Sequence, residues 1–284
     1  MVDQQKADDF AEFIGVNGYG ARIPVGDKDI VITCDGVGTK LYLADYFKKW
    51  DTVGVDLVAM SVNDLLCCGA EPLAFMDYYA VEELDITKSK EIINGIKYGC
   101  FLSDIRLVGG ETAQLEGMFK KPDSFDLAGF AVGEVVKPLR DPVELHDFVV
   151  GIPSSGLHSN GFTFLREKMK GTSLQLEEWM LEPTRIYTKE ILNNLDKIKR
   201  CAHVTGGGID RALGRLVNQP FTGLVYDEPL YRGRWEEIQT VLNLNNFQMR
   251  SNFNCGWGML LVTNTPDLDI PDAEVIGFLS ERVK

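Results

Sequence analysis

Residues 31–40 read V-I-T-C-D-G-V-G-T-K. An apolar, strand-like run ends in an acid, Asp35, then passes through Gly36 and Gly38 to a hydroxyl, Thr39, and a lysine, Lys40. Glycine lets the backbone turn sharply and approach a ligand with no Cβ in the way. Successive main-chain N–H groups in such a turn form an anion-binding concavity, to which Lys40 would add a full positive charge. Asp35 is placed to hold a metal ion or an amine at the same spot. The alternative is a plain strand followed by an Asp-Gly turn, since turn residues cluster wherever strands end. The stretch is not a P-loop, because the G-x-x-x-x-G-K-[ST] spacing is absent.

Downstream, residues 41–50 have mixed helical spacing and lead to 53–56. The run at 56–68, D-L-V-A-M-S-V-N-D-L-L-C-C, stops at Gly69 and is predicted as a helix with an acidic N-terminus and a glycine C-terminus. At about 3.6 residues per turn, Asp56, Asn63 and Asp64 lie two turns apart and fall on or near one face. Polar groups in an otherwise apolar helix are costly to bury unless they are paired or bind something. The alternative is that Asp56 caps the helix and the other two sit at its rim. Residues 74–80 read as a strand, 87–102 as a helix, and 105–108 as a short buried strand entering G-G-E-T-A. There Gly109, Gly110, Glu111 and Thr112 repeat the opening order of strand, glycines, acid and hydroxyl. Such strand ends, with the acids of the helix, supply the oxygen ligands that Mg²⁺ takes alongside substrate phosphates and water. Residues 126–136 read as a long strand, so strands and helices interleave in an α/β pattern.

The chain has 284 residues, which fits two domains. Residues 137–147, with Pro138 and Pro142, read as the connection, dividing the chain into 1–137 and 138–284. The formal net charge is −13, which argues against broad nucleic-acid binding, since that needs a basic surface. Phosphates would have to be held locally, by backbone N–H groups, a few basic side chains and a divalent metal. The polar, acidic start M-V-D-Q-Q-K-A-D-D-F is neither a secretory signal nor a transit peptide. No apolar run approaches the ~18 residues of a membrane span. The six cysteines show no C-x-x-C pair or disulfide framework, and the expectation is a reducing cytoplasm.

In the second half, 148–153 begins a new unit, and the loop S-S-G-L-H-S-N-G at 154–161 is dense in hydrogen-bonding side chains. It is either a solvated turn or a substrate cradle leading into a helix at 162–169. His158, in glycine-flanked polar company, suits proton transfer or a phosphate contact, with a structural histidine as the alternative. Pro183 and Thr184 in L-E-P-T-R-I-Y are predicted to open a helix running towards residue 199. A-H-V-T-G-G-G at 202–208 precedes a helix at 209–217. Three glycines at a helix N-terminus suit a phosphate, because exposed N–H groups and the helix dipole favour an anion. Residues 260–263 and 274–279 read as strands, the last closing a sheet. Cys255 has no base evident in the sequence and is not read as a nucleophile.

Taken together, D-G-V-G-T-K, V-D-L-V-A-M-S-V-N-D, G-A-E-P, G-G-E-T-A, D-L-A-G-F-A-V-G, P-S-S-G-L-H-S-N-G, L-E-P-T-R-I-Y, H-V-T-G-G-G and F-N-C-G-W-G-M occur in this order. In this the chain resembles the phosphoribosylformylglycinamidine cyclo-ligase (AIR synthetase) family of purine biosynthesis, over residues 17–277. D-G-V-G-T-K and G-G-E-T-A are shared more loosely with selenophosphate synthetase, thiamine-monophosphate kinase and the large amidotransferase of the preceding purine step. L-E-P-T-R-I-Y and P-S-S-G-L-H-S-N-G point to the cyclo-ligase itself.

The resemblance implies a two-domain α/β subunit. Its N-terminal sheet would pair with a second copy into a barrel-like homodimer, with ATP near that joint. The implied reaction is ATP-dependent closure of formylglycinamidine ribonucleotide (FGAM) to aminoimidazole ribonucleotide (AIR). Another ATP-using member of the superfamily, or an impaired or regulatory homologue, is the alternative. Carried onto this sequence, Asp35, Asp56, Asp64 and Glu111 would meet Mg²⁺ and ATP. Lys40 and Thr112 would meet phosphates, and Gly36, Gly38, Thr39, Asn63 and Gly110 would line the nucleotide. Ser154, Ser155, His158, Ser159, Asn160, Thr205, Gly206 and Gly207 would hold the substrate, with His158, Lys40 and Asp64 the catalytic candidates. The sequence departs from the family in two places. The segment before Asn17 is short, which bears on how ATP is covered, and N-T-P-D-L-D-I-P-D-A before Glu274 is too short and proline-interrupted for the usual helix.

Overall fold

Ala21–Val25 (β1) and Lys28–Gly36 (β2) form an antiparallel hairpin. In β2, Val31 and Thr33 are buried while Ile32 and Cys34 are exposed, the period-two signature of a strand covered on one face. The computed structural model describes residues 6, 9–10, 13–15, 18–217, 222–226 and 231–281. Val16 and Asn17, which open the V-N-G-Y-G-A-R stretch at 16–22, therefore lie outside the described residues.

After the turn of Gly38–Lys40 come two helices, Leu41–Phe47 (α1) and Asp51–Cys67 (α2). The second starts earlier than its sequence pattern indicates: residues 53–56 are helical, and Asp56 sits inside the helix rather than capping it. In α2, 15 of 17 residues are buried, as expected of a helix that is apolar almost all round. Leu57, Val58, Val62, Leu65 and Leu66 are fully buried, each contributing roughly 2 kcal/mol by removal from water. Next come Ala70–Val81 (β3), Ile86–Leu102 (α3), Arg106–Gln114 (β4) and Phe125–Val135 (β5). Helix α3 is capped by Asp85, whose carboxylate accepts the Thr87 and Lys88 N–H groups, an arrangement worth about 1 kcal/mol. It crosses α2 at Gly95, where a Cβ would strike the Asp51 carbonyl. The sheet order is β1-β2-β5-β3-β4. Residues 109–112 do not end a strand as expected. They continue β4, the edge strand, which pairs parallel with β3 up to Gln114.

The second sheet has the order β7-β9-β6-β10-β8 and is antiparallel throughout. Its strands are Phe148–Pro153 (β6), Ile198–His203 (β7), Thr222–Tyr226 (β8), Trp257–Thr263 (β9) and Glu274–Glu281 (β10). Strand β10 does not close this sheet but lies between β6 and β8. Helices Phe162–Met169 (α4), Thr188–Leu192 (α5), Gly208–Leu216 (α6), Trp235–Leu242 (α7) and Asn246–Asn252 (α8) complete it. The helix predicted from Pro183 towards residue 199 shrinks to the single turn of α5, and the chain from Ile198 becomes strand β7. All strands of the first sheet lie within 21–135 and all of the second within 148–281. Helix α2 is the hinge piece of the layering, packed on β2, β3 and β5 on one side and on β7 on the other.

Candidate active site

Asp64 leaves the C-terminal half of α2 facing β7. Its carboxylate lies 3.0 Å from Nδ1 of His203, the last residue of β7, while His203 Nε2 lies 3.3 Å from Asn63 Nδ2. An amide NH₂ can only donate, so Nε2 is the acceptor and the ring proton sits on Nδ1, pointing at Asp64. Asn63 is held on both sides, Nδ2 donating to the Arg185 carbonyl at 2.9 Å and Oδ1 accepting from Tyr187 N–H at 3.2 Å. Asp35, at the end of β2, accepts the Gly36 N–H at 2.7 Å. Its carboxyl is pushed up to about 6, by burial first and then by the Asp64 charge, against the pull of the Gly36 N–H and of His203. Asp64 thus acts on Asp35 as a like charge.

The 154–161 loop presents His158, 1% exposed. Its Nε2 faces two backbone donors, Ser155 N–H at 3.2 Å and Arg185 N–H at 3.5 Å. Two donors on one nitrogen require a lone pair there, so the proton of the neutral ring is on Nδ1. That nitrogen is buried without a partner. Burial, then the neighbouring His203, Lys40 and Arg185, hold the imidazole well below its ordinary value, so the ring is a neutral donor. Gly258 in β9 makes room for it: a Cβ there would strike the Tyr187 hydroxyl and lie 2.5 Å from His158 Cε1. The Tyr187 hydroxyl donates to the Pro153 carbonyl at 2.9 Å. Asn160 is the second unsatisfied donor, with Nδ2 buried and unpartnered. It lies beside Gly206, and Gly207 in the left-handed region opens α6.

Lys40 and Asp56 lie under this loop, both with fully buried side chains and 2.7 Å apart. Thr184 donates to Asp56 Oδ1 through its N–H at 2.7 Å and its hydroxyl at 2.6 Å, and Ser159 Oγ adds a third bond at 3.1 Å. Lys40 Nζ also donates to the Glu182 carbonyl at 2.8 Å.

Residues 17–135 match the profile of the AIR synthase related protein N-terminal domain, and residues 146–277 that of the AIR synthase related protein C-terminal domain. The chain is 39% identical over 272 residues to the phosphoribosylformylglycinamidine cyclo-ligase, chloroplastic/mitochondrial, of Vigna unguiculata, covering 88% of this chain and 69% of that one. It belongs to the phosphoribosylformylglycinamidine cyclo-ligase family. The cyclo-ligase of Burkholderia ambifaria is likewise 39% identical, over 92% of this chain and 80% of its own. Among solved structures, the thiamine monophosphate kinase of Aquifex aeolicus overlays with a TM-score of 0.70 at 18% identity, covering 99% of this chain and 96% of that one. At that identity the likeness speaks for the fold.

Within this cyclo-ligase family member the structure sets Asp64 against His203 and within electrostatic reach of Asp35, joins the Ser155 N–H to His158 and puts Asn160 beside Gly206. Glu111 and Thr112 are exposed on edge strand β4 with Gly110, and among the described residues no three His, Cys, Asp or Glu side chains stand as a metal-holding group. The four carboxylates expected around one ion are thus not gathered in this geometry. Lys40 and Asp56 are turned onto each other rather than onto a phosphate and a metal. Asn63 bridges α2 and the 185–187 segment. Thr39 Oγ1 meets Thr163 Oγ1 at 2.9 Å, and Ser154 Oγ meets Asn254 Oδ1 at 3.5 Å, so these hydroxyls join chain segments. His203, Arg185, Tyr187 and Gly258 escaped the sequence reading. The signal for His203 was its place just before V-T-G-G-G, obscured because β7 was not foreseen.

Proposed function

We propose that this chain closes FGAM to AIR at the expense of ATP, releasing ADP and phosphate. The observation that carries it is the 39% identity to named cyclo-ligases over most of both chains, together with the buried, unpartnered donors His158 Nδ1 and Asn160 Nδ2. An amide oxygen is a poor leaving group, so the γ-phosphoryl is first transferred to it. The substrate's own nitrogen then attacks the activated carbon, phosphate departs and a proton is lost. The protein's part is positioning and charge neutralisation. His158 Nδ1–H and Asn160 Nδ2 donate to substrate oxygens, and the N–H groups of Gly206 and Gly207, just before α6, receive a phosphate.

Mg²⁺ fits Asp35 and Asp64, since a cation would offset the burial and the Asp64 charge that raise Asp35, and phosphates and water would complete its shell. When bound it neutralises phosphate charge. Residues 1–137 would carry the nucleotide and 138–284 the substrate. A homodimer is proposed through the outer face of the first sheet. There Ile32, Met76, Val108 and Phe130 are 38%, 47%, 53% and 40% exposed, and Cys34, Phe130 and Met76 line up across adjacent strands. A contiguous apolar face of this kind marks an interface, and edge strand β4, with Glu111 and Thr112, would border it.

The test is phosphate release from ATP and Mg²⁺ with and without FGAM, with AIR assayed in parallel. AIR and phosphate are expected in equal amounts and only with FGAM. Phosphate without AIR, or no turnover by folded protein, overturns the reading.

A further inference from the structure

We propose that the buried Lys40–Asp56 pair is a latch that positions the substrate loop of the second half on the first, and is not a ligand of phosphate or metal. This rests on the cyclo-ligase reading for the identity of the substrate, but not for the latch itself. Every partner of Asp56 Oδ1 comes from the second half: Thr184 N–H, Thr184 hydroxyl and Ser159 hydroxyl. Asp56 Oδ2 faces Lys40, whose ammonium also reaches across to the Glu182 carbonyl and lies 5.9 Å from the centre of the Phe162 ring. Both side chains have zero exposure, so an incoming phosphate or hydrated cation would have to break these bonds first.

The residues gripped are neighbours of those that fix the imidazole. Ser159 follows His158, and Thr184 precedes Arg185, whose N–H faces His158 Nε2. The Ser159 and Thr184 hydroxyl oxygens lie 3.1 Å apart, both turned to the same carboxylate oxygen. One carboxylate oxygen therefore sets the spacing between the 154–161 loop and the 182–187 segment, and through it the direction of His158 Nδ1. Apolar residues of similar volume could fill the space with no desolvation penalty. They could not impose this register, because dispersion contacts lack the direction of a charge-assisted hydrogen bond.

Thr184→Val removes the hydroxyl bond but keeps the shape and the backbone bond, and Thr184→Ser keeps the hydroxyl. Amide hydrogen exchange of residues 154–161 in the full chain, without substrate, is the first readout. About tenfold faster exchange is expected in T184V, and wild-type exchange in T184S. Kinetics are the second: KM for FGAM is expected to rise about tenfold in T184V with KM for ATP unchanged. Equal exchange in T184V and wild type, or acceleration spread evenly over the chain, overturns the latch. A matching rise in KM for ATP also overturns it and returns the pair to the nucleotide. If the wild type makes no AIR, the functional reading falls, and the contrast in exchange between the two variants still decides the latch.

Discussion

Asp35 meets two opponents of its charge, burial and Asp64, and holds its proton up to about pH 6. A carboxyl whose folded value lies above its unfolded one, near 3.9, stabilises the fold in acid. That contribution is lost as pH rises through about 6. Asp35→Asn is therefore expected to melt higher than wild type at pH 7.5 and level with it near pH 4, by calorimetry across pH. Added Mg²⁺ should narrow the gap at pH 7.5 by stabilising wild type alone. His158 has the opposite sign. Its depressed folded value means that the neutral ring supports the fold above about 6.5, and that support is lost as pH falls below it. Since its Nδ1 carries the proton, His158→Asn, which can place an amide N–H at that point, should keep at least about tenfold more kcat/KM than His158→Ala. Equal loss in both would argue for a base instead.

At the level of elements, the β7–β9 pair sets His203 opposite Met259 and, one residue before it, Gly258 against the His158 ring. Gly258→Ala is expected to cost about 1–3 kcal/mol by overpacking, read as a lower urea midpoint with unchanged slope. Because the new methyl would strike the Tyr187 hydroxyl, the double variant G258A/Y187F should lose less than the sum of the two singles, a coupling that neighbours show and distant sites do not. Strand β7 was hidden in the sequence because I-K-R-C-A-H mixes charge into its first half. The charges are tolerated on an edge strand, where Lys199 is matched by Asp147 at 2.9 Å. Glu111 and Thr112 misled for the converse reason. Glycines inside a strand look like its end, yet Gly110 lies against Asp77 on β3, where a Cβ would not fit, and the strand runs on.

For the molecule as a whole, the first sheet is covered on one face by α2, while its other face carries exposed Ile32, Met76 and Phe130. Among the described residues no helix is long and apolar enough to cross a membrane. The proposed occupant of that face is a second copy, and Phe130→Lys is expected to give a monomer with unchanged far-UV circular dichroism. Wild type should sediment as a dimer, and a monomeric wild type would rule the joint out. Local order carried far in this chain: the apolar run into D-G-V-G-T-K, the largely apolar α2 and the H-V-T-G-G-G turn into α6 each announce themselves within one segment. That order determined the α/β class, the two-part layout and the family. What the tertiary structure decided is which polar residues face a ligand and which face each other. Lys40 and Asp56, or Asn63 and Tyr187, are far apart along the chain, and side chains buried at a joint are matched to partners no local pattern contains. The unpartnered Nδ1 of His158 and Nδ2 of Asn160 became visible only once those partners were accounted for.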